Sequence, residues 1–108
     1  MGLDHMQKLV KKHCKLYKGG DKNPYNANPT GDDWTKEYLK FQIWDAECSA
    51  VKGYTQWYDS WKSKNPNITL TKEEAAETIY KLAVRTKLRK MQDGWDDDID
   101  FMSMYFEL

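Results

Sequence analysis

The chain of 108 residues has little of what cross-links or interrupts a fold: two cysteines, three prolines and six glycines. Cys14 and Cys48 form neither a disulfide framework nor a closely spaced pair of metal ligands. No stretch approaches the roughly 18 apolar residues that a membrane-spanning helix needs. The N-terminus is polar and lacks the apolar core of a secretory signal. These absences predict a reduced, cytoplasmic protein that does not enter a membrane.

An excess of charge of either sign is also absent, because 17 lysines and arginines balance 17 carboxylates. The whole-chain charge therefore predicts no particular partner. The charges are nevertheless segregated. Residues 1–22 contain six lysines and two aspartates, a net charge of +4, whereas residues 93–108 contain six carboxylates and no base, a net charge of −6. A chain of this length is expected to form a single domain, residues 1–108, with opposite charges towards its two ends.

Aromatic residues, by contrast, are abundant: residues 32–61 contain eight rings in thirty positions. Seven residues of this segment recur at steps of three or four, which predicts one long helix, about 33–63, with a kink near Gly53. They are Leu39, Ile43, Ala46, Ala50, Tyr54, Trp57 and Trp61. A second apolar set lies on the opposite side and consists of Trp34, Tyr38, Phe41, Cys48 and, at its margin, Trp44. A helix that is apolar on two faces is central in its fold or meets a second copy.

Two further helices are predicted on either side of this segment. Residues 5–18 show helical periodicity with a lysine-rich outer face, Asp4 is a candidate N-cap, and a glycine- and proline-rich loop follows at 19–31. Thr71 and Glu74 form a capping-box pattern at the start of a helix over 72–92. Asp96 or Asp97 is the expected cap of a short last helix that groups Ile99, Met102, Tyr105 and Phe106. We therefore predict an all-α bundle of three main helices (about 5–18, 33–63 and 72–92) plus a short C-terminal element.

Metal and catalytic patterns are incomplete in this sequence. Asp96, Asp98, Asp100 and Glu107 match the acidic positions of a calcium-binding loop, but Phe101 stands where that loop needs glycine. The spacing of His5, His13, Cys14 and Cys48 does not match a zinc site. A cysteine with His13 is the only nucleophile–base candidate, and no oxyanion hole is recognisable. We therefore expect no enzyme activity, no catalytic residue, no metal and no cofactor.

Basic residues offer one functional hypothesis. The lysine face of the first helix and the basic end of the third could bind the phosphate backbone of a nucleic acid. Exposed tryptophans could stack on its bases. The candidate nucleic-acid residues are Lys8, Lys11, Lys12, Lys15, Arg85, Lys87, Arg89 and Lys90. The zero net charge and the acidic C-terminal segment argue against this hypothesis, so it is our alternative.

The favoured hypothesis is a non-catalytic protein-interaction module, a small cytoplasmic adaptor or regulator; a phage or mobile-element origin is a guess from base rates. Aromatic residues beyond the needs of one small core are typical of protein interfaces. The candidate interface residues are Trp34, Tyr38, Phe41, Trp44, Trp57 and Trp61. The predicted helix over 72–92, like that over 33–63, is apolar on two faces. The first helix offers a single apolar face and does not cover both surplus surfaces, so we expect a homodimer. The competing interpretation is that all the rings lie inside one compact bundle.

Overall fold

A computed structural model describes residues 2–108. It contains five helices and, within the described range, no strand: α1 (Gly2–Lys12), α2 (Trp34–Lys52), α3 (Tyr54–Lys64), α4 (Lys72–Asp93) and α5 (Phe101–Phe106). The all-α prediction is therefore confirmed, but with four long helices in place of three. In the same range no helix combines the length and apolar character that crossing a membrane requires.

The first helix ends earlier than predicted, at Lys12 rather than near residue 18. The N–H of His13 and that of Cys14 still form turn-type bonds, to the carbonyls of Val10 and Lys11. The next three backbone N–H groups turn instead to a side chain of another helix, described below. Helical periodicity persists in the sequence beyond Lys12, but the backbone hydrogen bonds that would continue the helix are replaced by a tertiary contact.

The long central helix is divided at Gly53, so the predicted kink is a break between α2 and α3. The Gly53 N–H still bonds to the Ser49 carbonyl at 2.8 Å, and the Gly53 carbonyl accepts from Trp57 at 3.1 Å. A Cβ atom at position 53 would lie 2.9 Å from the Ser49 oxygen. A residue with a side chain would have to move the backbone here, so glycine allows the close approach at this break.

The core lies mainly between α2 and α4, with α1 packed against both. The first apolar set of α2 faces this core: Leu39, Ile43 and Ala50 are fully buried, and Ala46 is nearly so. Tyr54 is buried as well, whereas Trp57 and Trp61 on α3 are half-buried. The face that the sequence predicted to be buried is therefore buried along α2, and it becomes partly exposed on α3, after the break at Gly53.

The second apolar set is covered within the chain to a larger extent than the sequence suggested. Trp95, from the segment after α4, lies 5.0 Å from Trp34 and 6.3 Å from Tyr38 between ring centroids, and Phe101 packs edge-on against it at 5.5 Å. The C-terminal segment supplies the cover that we had expected from a second copy. Residues some sixty positions away in the sequence thus cover part of the aromatic surface at this face.

The start of α4 carries the predicted capping box. The Thr71 hydroxyl accepts from the Glu74 N–H at 3.2 Å, and the Glu74 carboxylate accepts from the Thr71 N–H at 3.1 Å. Each side chain therefore satisfies a backbone donor that the first turn of a helix leaves without a partner.

We predict that Thr71→Ala lowers the free energy of unfolding by about 1 kcal/mol, because the Glu74 N–H loses its acceptor. Thr69→Ala, at an exposed loop position two residues earlier, is the matched control. Urea denaturation followed by circular dichroism measures both variants. Equal stability of the two variants would contradict the role of the cap.

Candidate functional site

Among the residues that the structure describes, Glu47 is the one fully buried charged side chain, at 0% exposure. Its carboxylate accepts three backbone N–H groups from the segment after α1. The N–H of Lys15 lies 2.6 Å from Oε2, and those of Leu16 and Tyr17 lie 2.8 Å and 3.2 Å from Oε1. Buried polar groups need such partners, and here the carboxylate and the three donors satisfy each other. Glu47 thereby fixes the backbone of residues 15–17 against α2.

Burial raises the pKa of the Glu47 carboxyl above its ordinary value of 4.5, and the backbone N–H donors partly oppose that shift. Cys14 is also buried and lies near Glu47. Its burial and, to a smaller extent, the charge of Glu47 raise the pKa of the Cys14 thiol to about 12. Burial also raises the pKa of Cys48. Both thiols are therefore protonated at neutral pH, and neither has the character of an activated nucleophile.

The side chain of Lys15 connects this segment to the last helix. Its Nζ donates to the Tyr105 carbonyl at 3.1 Å and lies 4.3 Å from the centre of the Tyr105 ring. The second distance is within the range of a cation–π contact. Glu47 holds the backbone of Lys15 in place, and the side chain of Lys15 extends from this fixed position to α5. Three elements that are distant in sequence are linked in this way.

Further bonds hold α5 on α4. The hydroxyls of Tyr80 and Tyr105 are hydrogen-bonded to each other inside the bundle. The Gln92 side chain donates to the Ile99 carbonyl at 2.7 Å and accepts from the Phe101 N–H at 3.1 Å. These contacts give a helix of only six residues a defined position.

The cap of α5 is Asp100, not the predicted Asp96 or Asp97. Its carboxylate accepts from the N–H groups of Met102 and Ser103 and from the Ser103 hydroxyl. Hydrogen bonds from Ser103 lower the pKa of Asp100, so the cap is ionised at neutral pH. The prediction that Phe106 joins the other apolar residues of the tail is correct in part, because its ring lies 5.6 Å from that of Tyr105 and lines the same groove as Met102. Tyr105 is buried, but the next side chain points outward and is 71% exposed.

A groove of about 390 Å³ lies between α4 and α5, beside Phe106. Its apolar lining comes from both helices, and its rim carries basic side chains. The lining residues are Lys15, Tyr80, Lys81, Val84, Arg85, Leu88, Met102, Tyr105 and Phe106. We call this the α4–α5 groove. Its volume is in the range of ligand- and peptide-binding clefts, and its wall includes the most exposed large apolar side chain described.

The rim of the α4–α5 groove is positively charged. Lys81 is paired with Glu77 at 2.8 Å, and Lys15 is engaged with Tyr105. Within residues 2–108, Arg85 forms no salt bridge. The groove has no carboxylate in its lining. The local charge therefore favours a partner that presents an anionic group next to an apolar one.

Other basic residues proposed for nucleic acid lie in different grooves. Lys8 and Lys11 line one with Asp4, Arg89 lines a second with Asp97 and Asp100, and Lys87 and Lys90 line a third with Asp45. Lys12 is exposed on α1, while Lys15 and Arg85 belong to the α4–α5 groove. The basic residues thus do not form one continuous phosphate-binding groove, and carboxylates stand among most of them.

The predicted interface residues are dispersed as well. Trp44 is only 4% exposed and packs against Tyr17 at 5.2 Å, so this core residue is removed from the candidate interface. Trp34 and Tyr38 are half-buried under Trp95, and Phe41 is half-buried on α2.

On α3, the Trp57 indole donates to the Ser49 hydroxyl at 3.0 Å. The ring of Trp61 packs against Tyr58 at 6.2 Å. Both tryptophans are half-buried. The six proposed interface residues therefore do not share one exposed patch.

Neither the buried position of Glu47 nor the exposure of Phe106 was predicted from the sequence. A signal for Glu47 was present, since Ile43 and Val51 stand four residues before and after it and both are apolar. A carboxylate on an apolar face of a helix is either a break in that face or a buried group with partners. The exposure of Phe106 had no comparable signal, because it depends on how the Tyr80 and Tyr105 hydroxyls meet.

No grouping of three or more histidine, cysteine or acidic side chains within the described residues is suited to hold a metal ion. Asp96, Asp98, Asp100 and Glu107 are therefore not brought together, and Asp100 serves as a helix cap.

Comparison of the chain with protein-family models, with curated proteins and with solved structures gives no match. The α4–α5 groove and the Glu47 contacts beside it are therefore the features of the molecule that bear on function.

We predict that Glu47→Gln lowers the free energy of unfolding by about 1–3 kcal/mol. The Gln oxygen can still accept from two N–H groups, but its NH2 group would face the Lys15 N–H, donor against donor. Glu47→Ala removes all three acceptor contacts and should cost more. The control is Glu37→Gln on the same helix, where a partly exposed pair with Lys40 contributes about 0.5 kcal/mol or less.

Urea denaturation of the three variants measures these differences. If Glu47→Gln were as stable as Glu37→Gln, the buried carboxylate would not hold residues 15–17 in the way described.

Proposed function

We propose that the protein is a non-catalytic protein-interaction module and that the α4–α5 groove is its docking surface. The observation that carries this proposal is the exposure of Phe106, 71%, on the wall of an apolar groove with a basic rim. A large apolar side chain in a fixed position beside a cleft is typical of an interface anchor. A small adaptor or regulator acting without catalysis fits this arrangement.

The chemistry of the groove defines the partner segment. Val84, Leu88 and Met102 offer an apolar floor, and Arg85 offers a charge without a salt-bridge partner in the described chain. A segment that places an aromatic or aliphatic side chain next to an aspartate or glutamate satisfies both features. Charged groups at the rim contribute mainly to orientation and association rate, and the apolar contact supplies most of the affinity.

Selection of a random peptide library on the immobilised wild-type protein, at low density, tests the proposal. We expect enriched peptides to combine an apolar anchor with acidic residues. Their dissociation constants, measured by fluorescence polarisation, should rise at least about tenfold in Phe106→Ser and in Arg85→Glu. Matched controls are Ile68→Ser, an exposed apolar residue in a loop, and Lys64→Glu, an exposed base on α3.

Failure to enrich any peptide whose binding depends on Phe106 or Arg85 would contradict the proposal. Labelled single- and double-stranded DNA form the second arm of the experiment. Tight DNA binding that weakens steeply with salt and is lost in Lys8→Glu or Lys11→Glu would favour the nucleic-acid alternative instead.

A further inference from the structure

We infer that the occupant of the α4–α5 groove is a second copy of this chain, with Phe106 of each copy entering the groove of the other. This inference rests on the proposed function and adds the identity of the partner to it. It places the self-association surface at α5, not at the tryptophan faces of α2 and α3 from which a homodimer was first expected.

Phe106 has the features of a prepared anchor. The preceding residue, Tyr105, is buried, bonded to Tyr80 and contacted by Lys15, so the helix that carries Phe106 is fixed. The two neighbouring rings of α5 lie 5.6 Å apart. Burying a side chain carried by a fixed helix costs less conformational entropy than burying one carried by a mobile segment. The exposed ring is therefore suited to insertion into a cleft.

The anchor and the cleft lie on one face of the molecule, because Phe106 itself lines the α4–α5 groove. A surface that carries both halves of a contact side by side is self-complementary. A two-fold axis close to α5 would bring each Phe106 to the other copy's groove and repeat the contact twice. One rotation thus covers both exposed rings.

The charges around this face are also complementary. Glu107 is exposed directly after Phe106, in a segment, residues 93–108, whose net charge is −6. Arg85 is exposed on the rim of the groove, which contains no carboxylate. When Phe106 enters the groove of the second copy, Glu107 is carried towards the Arg85 of that copy. The zero net charge of the chain removes long-range repulsion between copies.

Sedimentation equilibrium over a range of protein concentrations tests the inference. We expect the wild-type mass to rise with concentration from 12.8 kDa towards twice that value. Phe106→Ser should raise the dimer dissociation constant at least about tenfold, because each copy loses a buried ring. Ile68→Ser should leave the dissociation constant unchanged. Circular dichroism verifies that both variants remain folded.

A charge exchange makes the test independent of the loss of an apolar residue. Arg85→Glu alone and Glu107→Arg alone should each weaken self-association, because like charges then meet twice in the dimer. An equimolar mixture of these two variants should form a mixed dimer, since every Glu then meets an Arg. Failure of the mixture to associate more tightly than either variant alone would overturn the inference.

Other outcomes separate this inference from the proposed function. A wild-type protein that stays at 12.8 kDa at the highest concentration would overturn the second copy as occupant. Peptide binding that still depended on Phe106 and Arg85 would then leave the proposed function intact. A dimer that is unaffected by Phe106→Ser would likewise overturn the inference, because it would use a different surface.

Discussion

The carboxylate of Glu47 bonds to three consecutive backbone N–H groups, at 2.6–3.2 Å, within a fully buried site. The helix α1 ends early at this contact, since the N–H groups of residues 15–17 bond to Glu47 and not to carbonyls of α1. The contact also fixes the start of the Lys15 side chain, which reaches across to Tyr105 on α5. Together with the bonds from Tyr80 and Gln92 on α4, this contact holds α5 and the wall of the α4–α5 groove in position.

The abundance of aromatic rings has two different consequences in this fold. Most rings complete the interior: Trp44 packs on Tyr17, and Trp95 covers Trp34 and Tyr38. Phe106 is the exception among the described rings: it is 71% exposed, although the adjacent Tyr105 is buried and bonded to Tyr80.

The structure could be predicted from the sequence where local interactions determine it. The capping box at Thr71 and the buried face through Leu39, Ile43 and Ala50 were predicted correctly, because each depends on residues within a few turns of one another. The irregularity at Gly53 was located correctly, but as a kink in one helix, whereas the structure has two helices there. The end of α1 was not predicted correctly, since helical periodicity continues past Lys12 and the competing acceptor lies on α2.

The candidate site was predicted least well, for the same reason. Lys15 and Arg85 were identified only as bases for phosphate, and Phe106 only as one of the apolar residues grouped by the short last helix. The α4–α5 groove joins residues that are up to 91 positions apart, as Lys15 and Phe106 are. Periodicity and composition give no information about contacts between residues so far apart in the sequence. The groove follows from the tertiary contacts of Glu47 and Tyr105, which involve single polar atoms rather than a repeated pattern.

Backbone hydrogen exchange of Lys15, Leu16 and Tyr17, followed by nuclear magnetic resonance, tests the central role of Glu47 most directly. These three residues lie outside every helix, yet each of their N–H groups is bonded to a buried carboxylate. Our account predicts exchange as slow as that of buried positions in α2, because release requires opening of the core. Exchange as fast as at the exposed loop residues Lys22 and Ala27 would contradict it.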